Sequence, residues 1–280
     1  MINRSYEIVM NYNPRISILT PSYNQGAYIE ENILSVLRQD YPNYEHIIID
    51  GGSTDNTIPI LKNYPHLKWI SEQDKGQADA LNKGILMATG DIIGWINSDD
   101  YYEKNALHEV AAIFDNLEIQ WVIGNVTNRY SDTGEFVPRK SPQVTYHALI
   151  KNPDIVRQQA AFFRKSAIEM IGGWNTGFYM VMDYDLWLRM ARFYEPVMIN
   201  KNWAYYRIHG DQKSSFVNII RQFREIDHIL KKEKLPLPLR LRMKVKKRIY
   251  FLKALIKQFL IHKGWLDKKY SLRSVRMDTD

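Results

Sequence analysis

The feature that most constrains this chain is an alternation that runs through residues 16–100. Short apolar runs stop abruptly in polar, Gly- or Pro-containing loops. Ile16 to Thr20 leads into Pro21-Ser22-Tyr23-Asn24, and Tyr44 to Ile49 into Asp50-Gly51-Gly52-Ser53. Leu67 to Ser71 is a further short run, and Ile92 to Ile96 leads into Asn97-Ser98-Asp99-Asp100. Between these runs, apolar residues recur at helical spacing: Ile29, Ile33, Val36 and Leu37, then Ala80, Leu81, Gly84, Ile85 and Ala88. Continuous apolar runs of this length are what strands buried on both faces look like. Alternating with helices, they predict βαβ units and an α/β fold with a mostly parallel sheet, helices on both faces. Ligands bind such sheets at the carboxyl ends of the strands. The three polar loops are therefore expected to gather in one cleft.

The loop chemistry narrows what the cleft takes. Asp99 and Asp100, with Asn97 just before them, suit a hard divalent cation that takes oxygen ligands and bridges to phosphate. The same acids also suit the start of a helix, so the pattern alone leaves both readings open. A Gly-x-Gly-x-x-Gly turn and a Walker lysine loop are both missing, which argues against a nicotinamide or flavin enzyme. With no cysteine, a thiolate nucleophile, a disulfide framework and a zinc–thiolate site are excluded.

Further along, a helix is expected from Tyr101 to about Phe114, and strands at Trp121–Gly124 and Asn125–Tyr130. Asp132-Thr133-Gly134 has hairpin-turn chemistry. Gln158 to Phe163 reads as extended, Gly172-Gly173-Trp174 as a break, and Asp183 to Met190 as a helix. Arg207-Ile208-His209-Gly210-Asp211-Gln212-Lys213-Ser214 closes the body.

Four segments, in this order, resemble the family-two glycosyltransferases of the GT-A fold: Thr20-Pro21-Ser22-Tyr23-Asn24, Ile49 to Asp55, Asn97-Ser98-Asp99-Asp100, and Asp183-Tyr184-Asp185-Leu186-Trp187. The resemblance covers residues 16–214. It implies an inverting transferase that uses a nucleoside-diphosphate sugar, UDP-sugar favoured, with Mg²⁺ or Mn²⁺. Under it, Asp50 and Gly52 belong to the base-binding loop, with Thr20, Pro21 and Tyr23 lining the same pocket. Asp99 is the expected metal ligand; Asn97, Ser98 and Asp100 complete its loop, with Asp100 orienting Asp99 or touching the sugar. Asp183 is the expected general base and Asp185 a structural acid. Asp74 and Asp79, flanking a helix start, either lie near the donor or cap the helix. Gln158 and Gln159 either bond a sugar or are ordinary strand residues, and Trp174 is expected in the core. Arg207, His209 and Lys213 are expected to reach the diphosphate. The chain departs from the family pattern where Gly51 replaces a second acid, where Asn97 replaces the first acid of Asp-x-Asp, and where Met182 precedes the base.

Charge is segregated. Residues 221–276 hold 18 Lys+Arg against 4 Asp+Glu, whereas residues 1–220 hold 20 against 25. A basic tail on an acidic body points to an anionic partner. Leu241, Val245, Ile249, Leu252, Ile256 and Phe259 share one helical face within residues 235–265, widened by Phe251, Leu255 and Leu260. Lys253 and Lys257 interrupt the apolar run, so this helix is expected to lie on an anionic membrane surface rather than span it. Residues 1–214 are read as the transferase domain and 215–280 as a basic helical extension. The first residues lack the apolar core of a signal peptide, so a cytoplasmic enzyme on the inner face of the plasma membrane is expected. Its acceptor would be a saccharide or a lipid-linked saccharide. A nucleic-acid partner is not expected, because the body is acidic and carries no recognised motif. The competing readings are a catalytically weak sugar-nucleotide-binding or assembly protein and a nucleotidyltransferase.

Overall fold

In the computed structural model the described residues are 13–210, 212–213, 218–233, 235 and isolated positions from 241 to 263. The first half of the chain forms β1 (Ile16–Ser22), α1 (Ile29–Leu37), β2 (Tyr44–Asp50), α2 (Thr57–Lys62), β3 (Lys68–Ser71), α3 (Gln77–Met87) and β4 (Ile92–Trp95). β1 pairs in parallel with both β2 and β4, and β2 with β3. The chain therefore winds outward through β3, then returns to the other side of β1. That reversal opens a crevice at the carboxyl ends of β1 and β4, where Pro21, Ser22 and Asn97 to Asp100 lie.

The second half adds β5 (Tyr101–Tyr102), α4 (Ala106–Phe114), β6 (Trp121–Tyr130), β7 (Phe136–Arg139), α5 (Tyr146–Lys151), β8 (Ala161–Arg164), α6 (Lys165–Met170), α7 (Met182–Ala191), β9 (Val197–Ile208) and α8 (Ile219–Lys232). Among the described residues the sheet has nine strands in the order β3-β2-β1-β4-β8-β6-β9-β5, with β7 beside β6. It is parallel from β3 to β4 and mixed beyond. The two expected strands at 121–130 are one strand with a register shift between Ile123 and Val126. Gly124 sits at that irregularity, and a Cβ there would come within 2.5 Å of Trp203. The expected extended segment at 158–163 splits into a 3-10 turn, Gln158–Ala160, and β8. The long strand β9 carries no sharp sequence pattern and emerges only in the fold, whereas α8 lies within the expected helical extension.

Strand alternation sorts the core. Ile16, Ile18 and Ile92 face Val36 of α1 and Leu107, Val110 and Phe114 of α4. Leu19, Ile47, Ile49 and Ile93 face Leu81 and Ile85 of α3. On this second side an aromatic stack carries α7: Trp187 lies against Trp121 at 6.0 Å, Phe163 at 5.4 Å and Trp95 at 6.3 Å. Trp174 meets Trp95 edge-on at 5.6 Å and is buried, as expected of a core residue. Ile226, Ile229 and Leu230 of α8 pack into the same core. Beyond it, Leu241, Val245, Ile249, Leu252, Ile256 and Phe259 are helical and at least half exposed. Lys253 and Leu260 are also helical, whereas Phe251, Leu255, Lys257 and most other positions of the expected 235–265 helix lie outside the described residues. No helix among the described residues is long and apolar enough to cross a membrane.

At the opposite end of the sheet from the crevice, Glu45 is a buried acid. It accepts hydrogen bonds from Ser17 Oγ (2.5 Å), Thr89 N (2.7 Å), Thr89 Oγ1 (2.9 Å) and Lys68 Nζ (2.6 Å). Burial alone would push its pKa up; the bonds from Lys68, Ser17 and Thr89 win and hold it at about 2. Because the folded pKa is depressed, this contribution to stability is complete above the unfolded value and is lost as pH falls towards 2. Glu45→Ala, which orphans the buried Ser17 and Thr89 donors, is expected to cost about 2–4 kcal/mol by urea denaturation at pH 7. The gap to wild type should narrow on acidification below pH 4.

Candidate active site

Two loops form one wall of the crevice and are bonded to each other. Asn24 N donates to Ser53 Oγ (2.7 Å), Thr54 N to Asn24 Oδ1 (2.9 Å), Gln25 N to Thr57 Oγ1 (3.0 Å) and Gly26 N to Asp55 Oδ2 (2.8 Å). Asp50, at the end of β2, folds its carboxylate back onto its own loop. Oδ2 accepts from Gly52 N (3.0 Å), Ser53 N (2.8 Å) and Ser71 Oγ (2.7 Å), and Oδ1 from Ser53 Oγ (2.5 Å). The turn needs Gly52 at φ +83°. Asp50 therefore builds the loop, and Oδ1, with one bond, keeps capacity for a ligand N–H. Tyr23 stands exposed at the mouth, whereas Thr20 is fully buried and its hydroxyl bonds His46 Nε2 at 2.9 Å. The Thr20 side chain thus points into the protein, away from the pocket it was expected to line. His46 is held neutral there: burial pushes its pKa down to about 3.

On the neighbouring loop before α3, Asp74 Oδ1 accepts from Gly76 N at 2.7 Å. A Cβ on Gly51 would meet Asp74 Oδ2 at 2.8 Å. The carboxylate of Asp74 thus fills the space beside Gly51, where the family pattern has a second acid. Asp79 accepts from Lys75 N at 3.1 Å and lies 3.8 Å from Lys83 Nζ, so its contacts are those of a helix start.

The loop after β4 is fixed from all sides. Asn32 Nδ2 of α1 donates to Asn97 O (3.0 Å) and to Asp100 O (2.9 Å), and Ser98 Oγ to Pro21 O (3.2 Å). The Asn97 amide accepts from Gln77 Nε2 (2.6 Å) and Trp95 Nε1 (3.0 Å) and donates to Gln158 Oε1 (3.2 Å). An acid at position 97 could not make that last bond as a donor. Gln158 also donates to Trp95 O (2.7 Å), so it serves the framework. Asp100 is fully buried: Oδ1 accepts from Arg207 N (2.9 Å) and Oδ2 from Gln159 Nε2 (2.9 Å). Burial, and then the charge of Asp99, raise its pKa well above the carboxylate range.

Asp99 alone of the two acids faces the crevice, and it meets His209. Asp99 Oδ2 and His209 Nε2 are 3.1 Å apart, with the histidine ring buried and packed on Tyr28 at 4.3 Å. One carboxylate oxygen and one imidazole nitrogen thus converge on one point. His209, expected to approach the diphosphate, follows β9 and lies against Asp99. No group of three or more His, Cys, Asp or Glu side chains converges among the described residues. A two-donor protein set suits a cation that draws its remaining ligands from phosphate and water. Arg207 is engaged elsewhere: its guanidinium pairs with Glu31 at 2.5 Å and lies over the rings of Tyr28 and Tyr101.

Asp183 sits in the first turn of α7. Its Oδ1 accepts from Tyr184 N at 2.8 Å, leaving Oδ2 open. Burial, with a smaller push from Asp154, raises its pKa to about 6 against the opposing effect of Lys213. Lys213 Nζ donates to Gln77 Oε1 (3.2 Å) and lies 4.1 Å over the Tyr179 ring. Its own pKa is lowered by burial. Lys213 therefore links the Gln77–Asn97 pair to the field of Asp183. Asp185 is structural, as expected. It holds Arg189 Nε at 2.8 Å, and Arg189 caps Ile171 O (2.7 Å) and Gly173 O (2.8 Å). Gln77, Tyr28, Glu31 and Tyr179 lie in ordinary sequence contexts and were not singled out beforehand.

A sheet wound outward from β1, parallel from β3 to β4 and mixed beyond, with acids at its strand ends, matches the GT-A fold. Staphylococcus aureus TarS in complex with UDP-GlcNAc superposes with a TM-score of 0.65 at 20% identity, over 79% of this chain and 68% of that one. A mannosyltransferase from Pyrobaculum calidifontis, in complex with GDP-Man and Mn²⁺, superposes with a TM-score of 0.63 at 20% identity, over 88% of this chain and 72% of that one. The profile of Glycosyl transferase family 2 matches residues 17–186, and the chain belongs to that family. An Escherichia coli UDP-Glc:α-D-GlcNAc-diphosphoundecaprenol β-1,3-glucosyltransferase is 30% identical over 215 residues, which are 75% of this chain and 82% of the relative. The protein is a glycosyltransferase of a kind whose homologues build polysaccharides and glycolipids.

Proposed function

We propose that the chain moves a sugar from a nucleoside-diphosphate sugar, UDP-sugar favoured, to a hydroxyl of a saccharide or lipid-linked acceptor, with inversion. The observation that carries this reading is the chain of contacts from the Asp99–His209 loop to Asp183: Asn97 bonds Gln77, Gln77 bonds Lys213, and the Lys213 charge acts on the Asp183 carboxylate. The acceptor oxygen attacks the anomeric carbon while the bond from that carbon to the diphosphate oxygen breaks, so a single displacement inverts the centre. Asp183 Oδ2 takes the acceptor proton; a carboxylate with a pKa near 6 is charged at neutral pH yet basic enough to accept it. Asp99 and His209 would hold a divalent metal, Mn²⁺ or Mg²⁺, which when bound supplies positive charge to the departing diphosphate. Lys213 stands where it can add to that charge. Thr20 and Asn97 act on this reading as framework, while Pro21, Tyr23, Asp50 and Gly52 form the base-side wall.

The printed names of similar proteins support the donor class: UDP-GlcNAc in one solved neighbour, GDP-Man with Mn²⁺ in another. The preference for uridine rests on the family resemblance and on UDP in the named relative. The exposed apolar positions from Leu241 to Phe259 support placing the enzyme on the cytoplasmic face of the plasma membrane, within reach of a lipid-linked acceptor. Basic residues contribute about 1 kcal/mol each near an anionic surface.

Steady-state kinetics test the base. Asp183→Asn is expected to keep donor affinity and lose turnover by on the order of 10²-fold or more. In wild type, kcat/KM should rise with pH through about 6, because the base must be deprotonated; turnover near the wild-type rate in Asp183→Asn would remove the assignment. For the metal pair, Asp99→Ala should abolish the Mn²⁺-dependent part of the thermal shift produced by UDP, and His209→Ala should weaken it. Retention of the full Mn²⁺-dependent shift by both variants would overturn the ligand assignment. Flotation with anionic liposomes at low salt should carry the full chain and leave a 1–232 truncation behind; equal behaviour of the two would argue against membrane contact by the extension.

A further inference from the structure

A second concave site lies on the far side of the turn that carries the base. Between the 175–178 turn and α8 is a cavity of about 350 Å³ lined by Asn175, Phe178, Arg224, His228 and Lys232. The three basic side chains stand at intervals of four residues, so α8 presents them on one face. Glu225 also reaches this cavity, but its carboxylate is already occupied. It accepts from Tyr179 N (3.1 Å), Met180 N (2.7 Å), Val181 N (3.3 Å) and Arg221 Nε (2.9 Å). What the cavity offers a ligand is therefore net positive charge, with the Asn175 amide as a further polar group.

Its position gives that charge a use. The three backbone groups bonded by Glu225 immediately precede α7, which opens at Met182 and carries Asp183. Gly177 and Phe178 line the cavity, and Tyr179 to Val181, held by the cavity's Glu225, join them directly to α7 and the base. Later in the chain than α8, the described helical positions Leu241, Val245, Ile249, Leu252, Ile256 and Phe259 carry exposed apolar side chains. A ligand spanning these features has a hydroxyl-bearing sugar at one end, a strongly anionic middle and a hydrocarbon tail. An arginine fork and a lysine together suit a diphosphate better than a single carboxylate.

Building on the transferase reading above, we propose that this cavity is the acceptor subsite for the phosphate groups of a lipid-diphosphate saccharide. Arg224 and Lys232 bind the phosphate oxygens, His228 and Asn175 border them, and the sugar extends past the 177–181 turn to Asp183. Specificity for the acceptor is then set by α8, which lies outside the four family segments.

Calorimetric titration of the full chain, saturated with UDP so that the donor site is filled, tests this directly. Farnesyl diphosphate is expected to bind, and Arg224→Gln/Lys232→Gln to weaken it by about tenfold or more. The variant's melting temperature and UDP titration serve as controls of fold. Lys232→Glu, a charge reversal at an exposed position, should act in the same direction. Inorganic pyrophosphate and phosphatidylglycerol vesicles separate the sources of phosphate. Equal affinity for pyrophosphate and farnesyl diphosphate would overturn the lipid-linked assignment, as would displacement of farnesyl diphosphate by the vesicles. Absence of binding to the UDP-saturated protein, or unchanged affinity in the double variant, would overturn the subsite itself. Consumption of UDP-sugar, measured separately with soluble saccharides, reports on the transferase reading; its failure leaves the diphosphate titration fully interpretable.

Discussion

The geometry of the crevice depends on one buried carboxylate. Asp100 has no exposed surface; burial and the Asp99 charge disfavour its ionised form, and a polar group so placed is tolerated only with hydrogen-bond partners around it. Those donors come from far along the chain: Arg207 N on β9 and Gln159 Nε2 in the 3-10 turn, while Asn32 of α1 takes the Asp100 carbonyl. Three segments far apart in sequence are thereby drawn to one point. Asp99 is pressed outward by the same arrangement, since its neighbour occupies the interior. The backbone bond to Arg207 also sets the register of β9, and two residues later His209 arrives opposite Asp99. A change at Asp100 would therefore be felt at a residue more than a hundred positions away.

The first half of the fold is legible in the chain because its signals are local. Each parallel strand is a short apolar run, each helix has a 3.6-residue period, and each loop announces itself with Gly, Pro or acids. The expected helices and strands up to Trp95 appear within a few residues of their expected ends. β9 was invisible for a physical reason. Its exposed and buried residues do not alternate cleanly, Lys201 and Asn202 interrupt it, and its pairing with β6 is irregular. α8 falls in the expected basic helical extension, but its basic residues hid that Ile226, Ile229 and Leu230 pack back into the core.

Side-chain roles were less legible than elements, because a motif fixes where a residue sits and not where its atoms point. Thr20 belongs to the expected strand end, yet its hydroxyl turns to His46 inside the protein. Arg207 belongs to the expected closing segment, yet its charge is consumed by Glu31. Asn97 looks like the loss of an acid. In the structure it is the centre of a bonded set with Gln77, Trp95 and Gln158, and it makes a donor bond that an ionised carboxylate cannot make. Asp74, likewise, stands against Gly51 from a separate loop. In both places the partners of the departure are distant in sequence and close in space.

The raised pKa of Asp183 carries a consequence for how such a protein changes over generations. A carboxylate whose charged form is disfavoured by its surroundings works against folding at neutral pH. Drift that replaced it with a neutral side chain of the same shape would meet no thermodynamic resistance and would gain robustness. On the proposed reading of Asp183 as the base, only the demand for turnover opposes that drift, and catalysis and durability are selected in opposite directions at this residue. A descendant freed from its reaction would be expected to shed this charge early, while keeping Asp100, on which the architecture depends.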